Sequence, residues 1–423
     1  MTWSEPERLA VGEALRTSDR WHPAHWRRLE VRQHPGWAEN ERLAQVRDRL
    51  AARPPLVTSE EVVTLRRQLT KVAYGRSMLV QLGDCAETFD PPALSHVERT
   101  AGLVHRAARV IEAELSIPTV TIGRIAGQFA KPRSSSTEEV GGMVLPSFRG
   151  FLINDLAPDP VARRPDPFRM LRGYEHAART LALLRQVANV RAPMRGHWGE
   201  GLPALWTSHE ALVLDYEEPL TRWDPGLDAW VNSSAHLPWV GERTREIGGA
   251  HVQFLAQVVN PVGCKVGPAT TEGQILRLAG ALDPDRQPGR LVLIARLGSE
   301  RVEAVLPGLA ETVRRAGHLP VWLCDPMHGN TIQSRSGRKT RHVGTLLAEI
   351  GGFVRALARS GAWPGGLHLE GTEEPVTECL GGRCGITDDD LHSAYLTACD
   401  PRLNAEQVME VVEVYADLIC RSL

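Results

Sequence analysis

A thiol, three cations, an imidazole and a carboxylate recur at one kind of place in this chain, the end of a short apolar run. MLVQLGDC ends at Cys85, PTVTIGR at Arg124, NPVGCK at Lys265, RLVLIAR at Arg296, LPVWLCDPMH at His328 and GGLHLE at Glu370. Thiolate, imidazole and carboxylate are ligands for a divalent transition metal such as Mn2+, Co2+ or Zn2+. Asp400, in a late loop, adds a second carboxylate. Phosphate and carboxylate groups need several charge-assisted donors, and Arg offers a two-pronged one. Arg124, Lys131, Arg133, Ser134, Arg243, Lys265 and Arg296 form such a set, at or just beyond the ends of those runs. Lys265 weighs most, because a lysine inside an apolar strand is costly to bury without an anion. The others have plainer explanations one at a time. A free cysteine is commonly a small buried hydrophobe, and KPRS alone reads as a solvated basic loop. Glu242, beside Arg243 and Arg245, could orient them or sit near substrate, and reads equally as an acid in the first turn of a helix. The candidate ligands are too dispersed to form a closed motif, so their chemistry depends on a fold that gathers them.

Runs of four to seven apolar residues separated by helical stretches read as parallel strands buried on both faces. In a (β/α)8 barrel all strands point one way, so their C-terminal ends meet at a single mouth. Strands are expected near 78–83, 118–124, 203–207, 235–240, 261–266, 290–296, 319–324 and 366–370. Helices are expected over 95–115, 168–188, 209–218, 243–258, 272–281, 301–316, 339–360 and 404–422. The fold class is therefore α/β, a (β/α)8 TIM barrel over 76–423 behind an N-terminal helical extension over 1–75. Within the extension, WAENERLAQVRDRL carries an apolar stripe at helical spacing and is ended by Pro54 and Pro55. Thr58-Ser59-Glu60-Glu61 is a capping signature for a following helix. The extension is expected either to decorate the barrel or to form a contact between copies. The stretch 125–165, in which Gly, Pro, Ser and Arg mix with Phe129, Phe148 and Phe151, reads as an active-site loop rather than a linker.

Composition excludes several classes. With 49 basic and 51 acidic residues the formal charge is −2, so no global field favours nucleic acid or a membrane surface. The first residues, MTWSEPERLAVGEALRTSDRW, lack the apolar centre of a signal peptide. No apolar stretch reaches the roughly 18 residues that span a bilayer. Seven scattered cysteines do not make a secreted disulfide framework. A soluble, cytoplasmic protein is expected, and a hydrophobic fraction of 42% is enough for a full core.

Several segments, in order, carry a specific resemblance: QLGDCAETF, IGRIAGQFAKPRS, TSHEALVLDYE, WVGERTR, NPVGCKVGP, CDPMHGNT, VTECLGG and TACDPRLN. They resemble the class II 3-deoxy-D-arabino-heptulosonate 7-phosphate (DAHP) synthases across most of the chain. The resemblance implies a (β/α)8 barrel that condenses phosphoenolpyruvate with erythrose 4-phosphate, the first step of the shikimate pathway. It implies that Cys85, His328, Glu370 and Asp400 hold a divalent metal. It assigns Arg124, Glu242, Arg243, Lys265 and Arg296 to phosphoenolpyruvate, and Lys131, Arg133 and Ser134 to erythrose 4-phosphate. Lys339 and Arg341 fall in a further similar segment near the mouth. A homo-oligomer, dimer or tetramer, is expected, and a chorismate mutase is a candidate partner. A cysteine at Cys399 can approach the metal cysteine in this family, so a Cys85–Cys399 disulfide is an expected oxidised state and a packed free thiol the plain one.

The departures from the family concern control. Regulated members carry a long helical insertion before TSHEALVLDYE, whereas Val187 to Thr207 is short here. Phe151 stands where the family usually has an acidic residue, and GTEEP follows the glutamate ligand. A weakly feedback-regulated enzyme feeding secondary metabolism is the expectation. An aminoDAHP synthase using an imino analogue of the sugar is the alternative enzyme. A non-catalytic regulatory paralogue is the alternative of another class, and the intact ligand set argues against it.

Overall fold

The computed structural model describes residues 21–37, 40–191 and 203–422. Eight parallel strands close into a barrel: β1 Met78–Gly83, β2 Thr119–Arg124, β3 Trp206–Glu210, β4 Leu237–Val240, β5 Val262–Val266, β6 Leu291–Ala295, β7 Val321–Cys324 and β8 Gly366–Glu370. Each pairs only with its neighbours in sequence, and β8 closes on β1. The helices are α1 Asn40–Ala51, α2 Ser59–Ala73, α3 Leu94–Leu115, α4 Arg169–Arg191, α5 Leu214–Glu217, α6 Ala250–Leu255, α7 Glu272–Leu282, α8 Val302–Arg315, α9 Val343–Ser360 and α10 Ala405–Cys420.

Alternation along the strands sorts the side chains. Met78, Val80 and Leu82 of β1 face the helical layer, as do Leu291 and Leu293 of β6 and Leu367 and Leu369 of β8. Leu79, Val120, Ile122, Trp206, Val292, Ile294, Val321 and Leu323 point inward and fill the lower lumen. Leu65, Leu69 and Val72 of α2 join that inner cluster, so α2 plugs the bottom of the barrel. Further along the same strands the inward side chains reach the mouth, two residues beyond the last inward position below it. Ile122 leads to Arg124, Ile294 to Arg296, Leu323 to Asp325 and His368 to Glu370. The register sets Gly83 of β1 beside both Arg124 and Glu370. A Cβ at Gly83 would come within 2.5 Å of the Arg124 carbonyl oxygen, so the close approach of these strands needs a glycine.

The expected capping box is present: Thr58 accepts from the Glu61 backbone and Glu61 accepts from the Thr58 backbone. Four expectations need correction. The third strand, expected at 203–207, runs Trp206–Glu210, because its upper half carries lumen-facing Ser208 and Glu210 and no apolar run marks it. The helix expected over 209–218 shrinks to Leu214–Glu217, where Asp215 and Glu217 are buried acceptors rather than surface residues. The helix expected over 243–258 covers Ala250–Leu255, starting only after Gly248 and Gly249. The helix expected from 339 begins at Val343, since Lys339–Thr340 pairs with Ile332–Gln333 as a small hairpin. Of the short stretch from Val187 to Thr207, residues 192–202 lie outside the described residues. Among those described, no helix is long and apolar enough to cross a membrane.

Candidate active site at the barrel mouth

Glu370, fully buried at the end of β8, is the centre of the mouth. Its Oε1 lies 3.0 Å from Arg124 Nη2, 3.1 Å from Lys131 Nζ and 3.2 Å from His328 Nε2. Its Oε2 accepts from Arg341 Nη2 at 2.9 Å. Burial alone would raise this carboxyl, but His328, Lys131, Arg124 and Arg341 together hold it well below the usual range. Asp400 comes in from the loop before α10, 3.1 Å from Lys131 Nζ and 3.4 Å from Lys339 Nζ.

Donor atoms of His328, Glu370 and Asp400 lie within 4.8 Å of one another. Buried Asp325 fixes the imidazole, accepting from its Nδ1 at 2.8 Å and leaving Nε2 turned to Glu370. That is the usual support for a metal-binding histidine. Mixed nitrogen and oxygen donors with such a carboxylate support fit a divalent transition metal. Cys85, the fourth expected ligand, stands outside this trio. Its Sγ accepts from the Asp400 backbone N–H at 3.4 Å and lies 3.3 Å from Thr397 Oγ1. A hydrogen bond from Cys399, working against burial and helped by Lys131, brings the Cys85 thiol down to about 7. Cys85 and Cys399 are both free thiols, side by side.

The cations gather around a second centre, His368. Its Nε2 is 2.8 Å from both Lys265 Nζ and Arg124 Nη1, and its Nδ1 is 2.7 Å from Gln81 Oε1. Two cationic donors on one nitrogen require a neutral ring with its proton on Nδ1. Burial, with Lys265 and Arg124, keeps His368 far below an ordinary imidazole. Gln81 in turn donates to Ser208 Oγ at 2.8 Å, so β1, β3 and β8 share one internal network under the cations. Lys265 also pairs with Asp325, and burial brings its ammonium down to about 8 although Asp325 opposes the shift.

Arg296 donates to the His328 carbonyl at 2.6 Å. Glu349 of α9 accepts from the Leu297 and Gly298 backbones and from Asn330, tying the β6 and β7 loops together. The Glu242 carboxylate accepts from Arg245 through Oε1 at 2.7 Å, while Oε2 is buried without a hydrogen-bond partner. Arg243 and Ser134 are exposed. Arg133 pairs with Glu138. Phe151, at the departure from the family pattern, packs edge-on against Phe148 with ring centres 5.1 Å apart.

Arg124, Lys131, Lys265, His328, Glu370 and Asp400 are thus brought together. Cys85 and Arg296 lie at their edge, and Glu242 faces Arg245. Sequence reasoning missed Asp325, His368, Gln81 and Glu210. Glu210 ends β3 with a carboxyl pushed up by burial and opposed by Lys131, Lys265, His328 and Arg243, its Oε1 buried without a hydrogen-bond partner. The signal for Gln81 and His368 was a lone polar residue inside an apolar strand, two positions before a mouth residue.

Residues 21–195 and 201–416 match the class-II DAHP synthetase family. The chain is 44% identical over 385 residues to a probable phospho-2-dehydro-3-deoxyheptonate aldolase of Pseudomonas fluorescens, covering 91% of this chain and 94% of that protein. It is 39% identical over 435 residues to the phospho-2-dehydro-3-deoxyheptonate aldolase of Streptomyces coelicolor, covering 93% and 97%. A solved phospho-2-dehydro-3-deoxyheptonate aldolase from Francisella tularensis superposes with a TM-score of 0.50 at 15% identity, over 88% of this chain and 96% of that one, a likeness of fold.

Proposed function

The chain belongs to the class-II DAHP synthetase family, the 3-deoxy-7-phosphoheptulonate synthases, and on that premise we propose that it joins phosphoenolpyruvate to erythrose 4-phosphate with release of phosphate. One observation carries this reading. A trio of metal-capable side chains shares its carboxylates with Arg124 and Lys131, while Lys265 stands one imidazole away.

In this reading Arg124, Lys265, Arg296 and Arg243 bind the phosphate and carboxylate of phosphoenolpyruvate, and Lys131, Arg133 and Ser134 bind the phosphate of the sugar. A divalent metal held by His328, Glu370 and Asp400, with Cys85 adjoining, would supply Lewis acidity toward the sugar aldehyde. The chain's own groups align the reactants: two anions held by a converging cation set bring C3 of phosphoenolpyruvate against the aldehyde carbon. C3 attacks that carbon, and the aldehyde oxygen takes up a proton. The cation left at C2 adds water, and the tetrahedral adduct expels phosphate by breaking its C2–O bond. The unpartnered Oε2 of Glu242 supports a role in orienting that water. The short stretch from Val187 to Thr207 supports weak feedback control and service to a secondary pathway.

The test is turnover after metal reconstitution, followed as loss of phosphoenolpyruvate with and without erythrose 4-phosphate. Consumption should need the sugar, stop on chelation and return with Mn2+. Consumption that persists through exhaustive chelation would overturn the metal assignment.

A further inference from the structure

The loop that carries Lys131 and Arg133 is not held by the barrel alone. Gln33, from the segment ahead of α1, exchanges two hydrogen bonds with the Arg133 backbone: Arg133 N donates to Gln33 Oε1 at 2.9 Å, and Gln33 Nε2 donates to Arg133 O at 3.1 Å. This is the reciprocal pairing of a β-ladder, made by one side chain. A second tie meets the other flank. Lys131 N donates to the Arg149 carbonyl at 2.9 Å, and the Arg149 guanidinium donates to the carbonyls of His34 and Gln33. The backbone after Pro132 is therefore fastened directly to Gln33, and the backbone before it to Gln33 and His34 through Arg149.

The extension itself is anchored. Fully buried Asp215 accepts from His34 Nε2 at 3.1 Å, Trp37 Nε1 at 2.7 Å and Arg47 Nε at 3.0 Å. Trp26 and Arg27 likewise bind Glu218. Asp215 and Glu218 of LDYEE, which take no part in the mouth, thus serve as the receptors for this segment. Gln33 is also one of the few residues other than glycine with a positive φ, 57°. A long side chain in this conformation is uncommon, and the surrounding contacts must maintain it.

We propose that Gln33 is a positioning residue and that the segment Gln33–Trp37 is a strap setting the geometry of the Lys131–Ser134 clamp. The inference rests on the reading of that clamp as the site for the sugar phosphate. The strap acts on one substrate only, because the cations around His368 are held by Asp325 and Glu370 instead, and His368 itself by Gln81.

The experiment compares Gln33→Ala, Gln33→Gly and Arg133→Ala in the Mn2+-loaded full chain, varying each substrate in turn and recording Tm. Both Gln33 variants should raise KM for erythrose 4-phosphate by about tenfold, the effect of losing two positioning hydrogen bonds. KM for phosphoenolpyruvate and Tm should stay near wild type, and kcat should change less than KM. The glycine variant removes any backbone strain, so recovery in Gln33→Gly alone would overturn the proposal. So would an unchanged sugar KM in both variants while Arg133→Ala raises it. If Arg133→Ala also leaves that KM unchanged, the reading of the clamp itself fails.

Discussion

Replacing Arg341 should loosen the candidate metal site more than any single surface change. Arg341 is fully buried and tethers three loops: Nη2 meets Glu370 Oε2 at 2.9 Å, Nε meets Thr331 Oγ1 at 3.1 Å, and Nη1 meets the Pro401 carbonyl. Glu370 and Asp400 are candidate ligands, and Thr331 closely follows His328. In Arg341→Met the aliphatic volume is largely kept and all three ties are lost. Breaking a buried ion pair costs about 3–5 kcal/mol. Glu370 keeps Arg124, Lys131 and His328, which places its share near the lower end. The stranded Pro401 and Thr331 groups add about 1 kcal/mol each. A total of about 5 kcal/mol should appear in urea unfolding of the metal-free chain. Mn2+ affinity, measured by calorimetric titration, should fall roughly 10–100-fold, as when the supporting shell of a metal site is removed. Arg341→Lys should recover little, because one ammonium cannot reach in three fixed directions. An unchanged Mn2+ affinity in a destabilised Arg341→Met protein would show that the tether is structural only, and would refute the reasoning.

Three further outcomes are expected. His251 is buried, donates to the Leu212 carbonyl, and is brought by burial down to about 4. The unfolded chain protonates near pH 6.5 and the folded chain does not until about pH 4, so stability falls as pH drops through that window, by about 3 kcal/mol. His251→Gln should flatten this part of the pH–stability curve, and an identical slope would contradict it. Lys265→Met leaves Asp325 without its ammonium and should cost about 3–5 kcal/mol while abolishing turnover; retained turnover with a wild-type KM for phosphoenolpyruvate would count against its binding role. Titration with tryptophan, phenylalanine and tyrosine should leave turnover nearly unchanged, and strong inhibition by any of them would rule out weak feedback control.

The barrel was legible because six of its strands read as continuous apolar runs ending in a functional residue, and β1 and β8 fall at the expected bounds. β3 was misplaced for the opposite reason. Its lumen-facing residues near the mouth are Ser208 and Glu210, so apolar patterning fades where the chemistry begins. The candidate ligands His328, Glu370 and Asp400 were named from the motifs. Their orientation was not: Arg341 is distant in sequence from Glu370 and Pro401, and Asp325, three residues before His328, reads as part of a turn rather than as a support for the imidazole. His368 illustrates the limit: its place in GGLHLE reads as a strand histidine, and only closure of β8 on β1 brings it to Gln81. Gln33 was invisible because a segment without regular structure carries no periodicity.

The central claim is that these loops form a carbon–carbon bond between two phosphorylated substrates. Phosphoenolpyruvate labelled with 13C at C3, mixed with Mn2+-loaded protein and erythrose 4-phosphate, tests it by NMR. The labelled carbon should become a methylene bonded to the former aldehyde carbon, with one inorganic phosphate released per label consumed and no reaction when the sugar is omitted. Phosphate release without that new bond, or consumption independent of the sugar, would contradict the account.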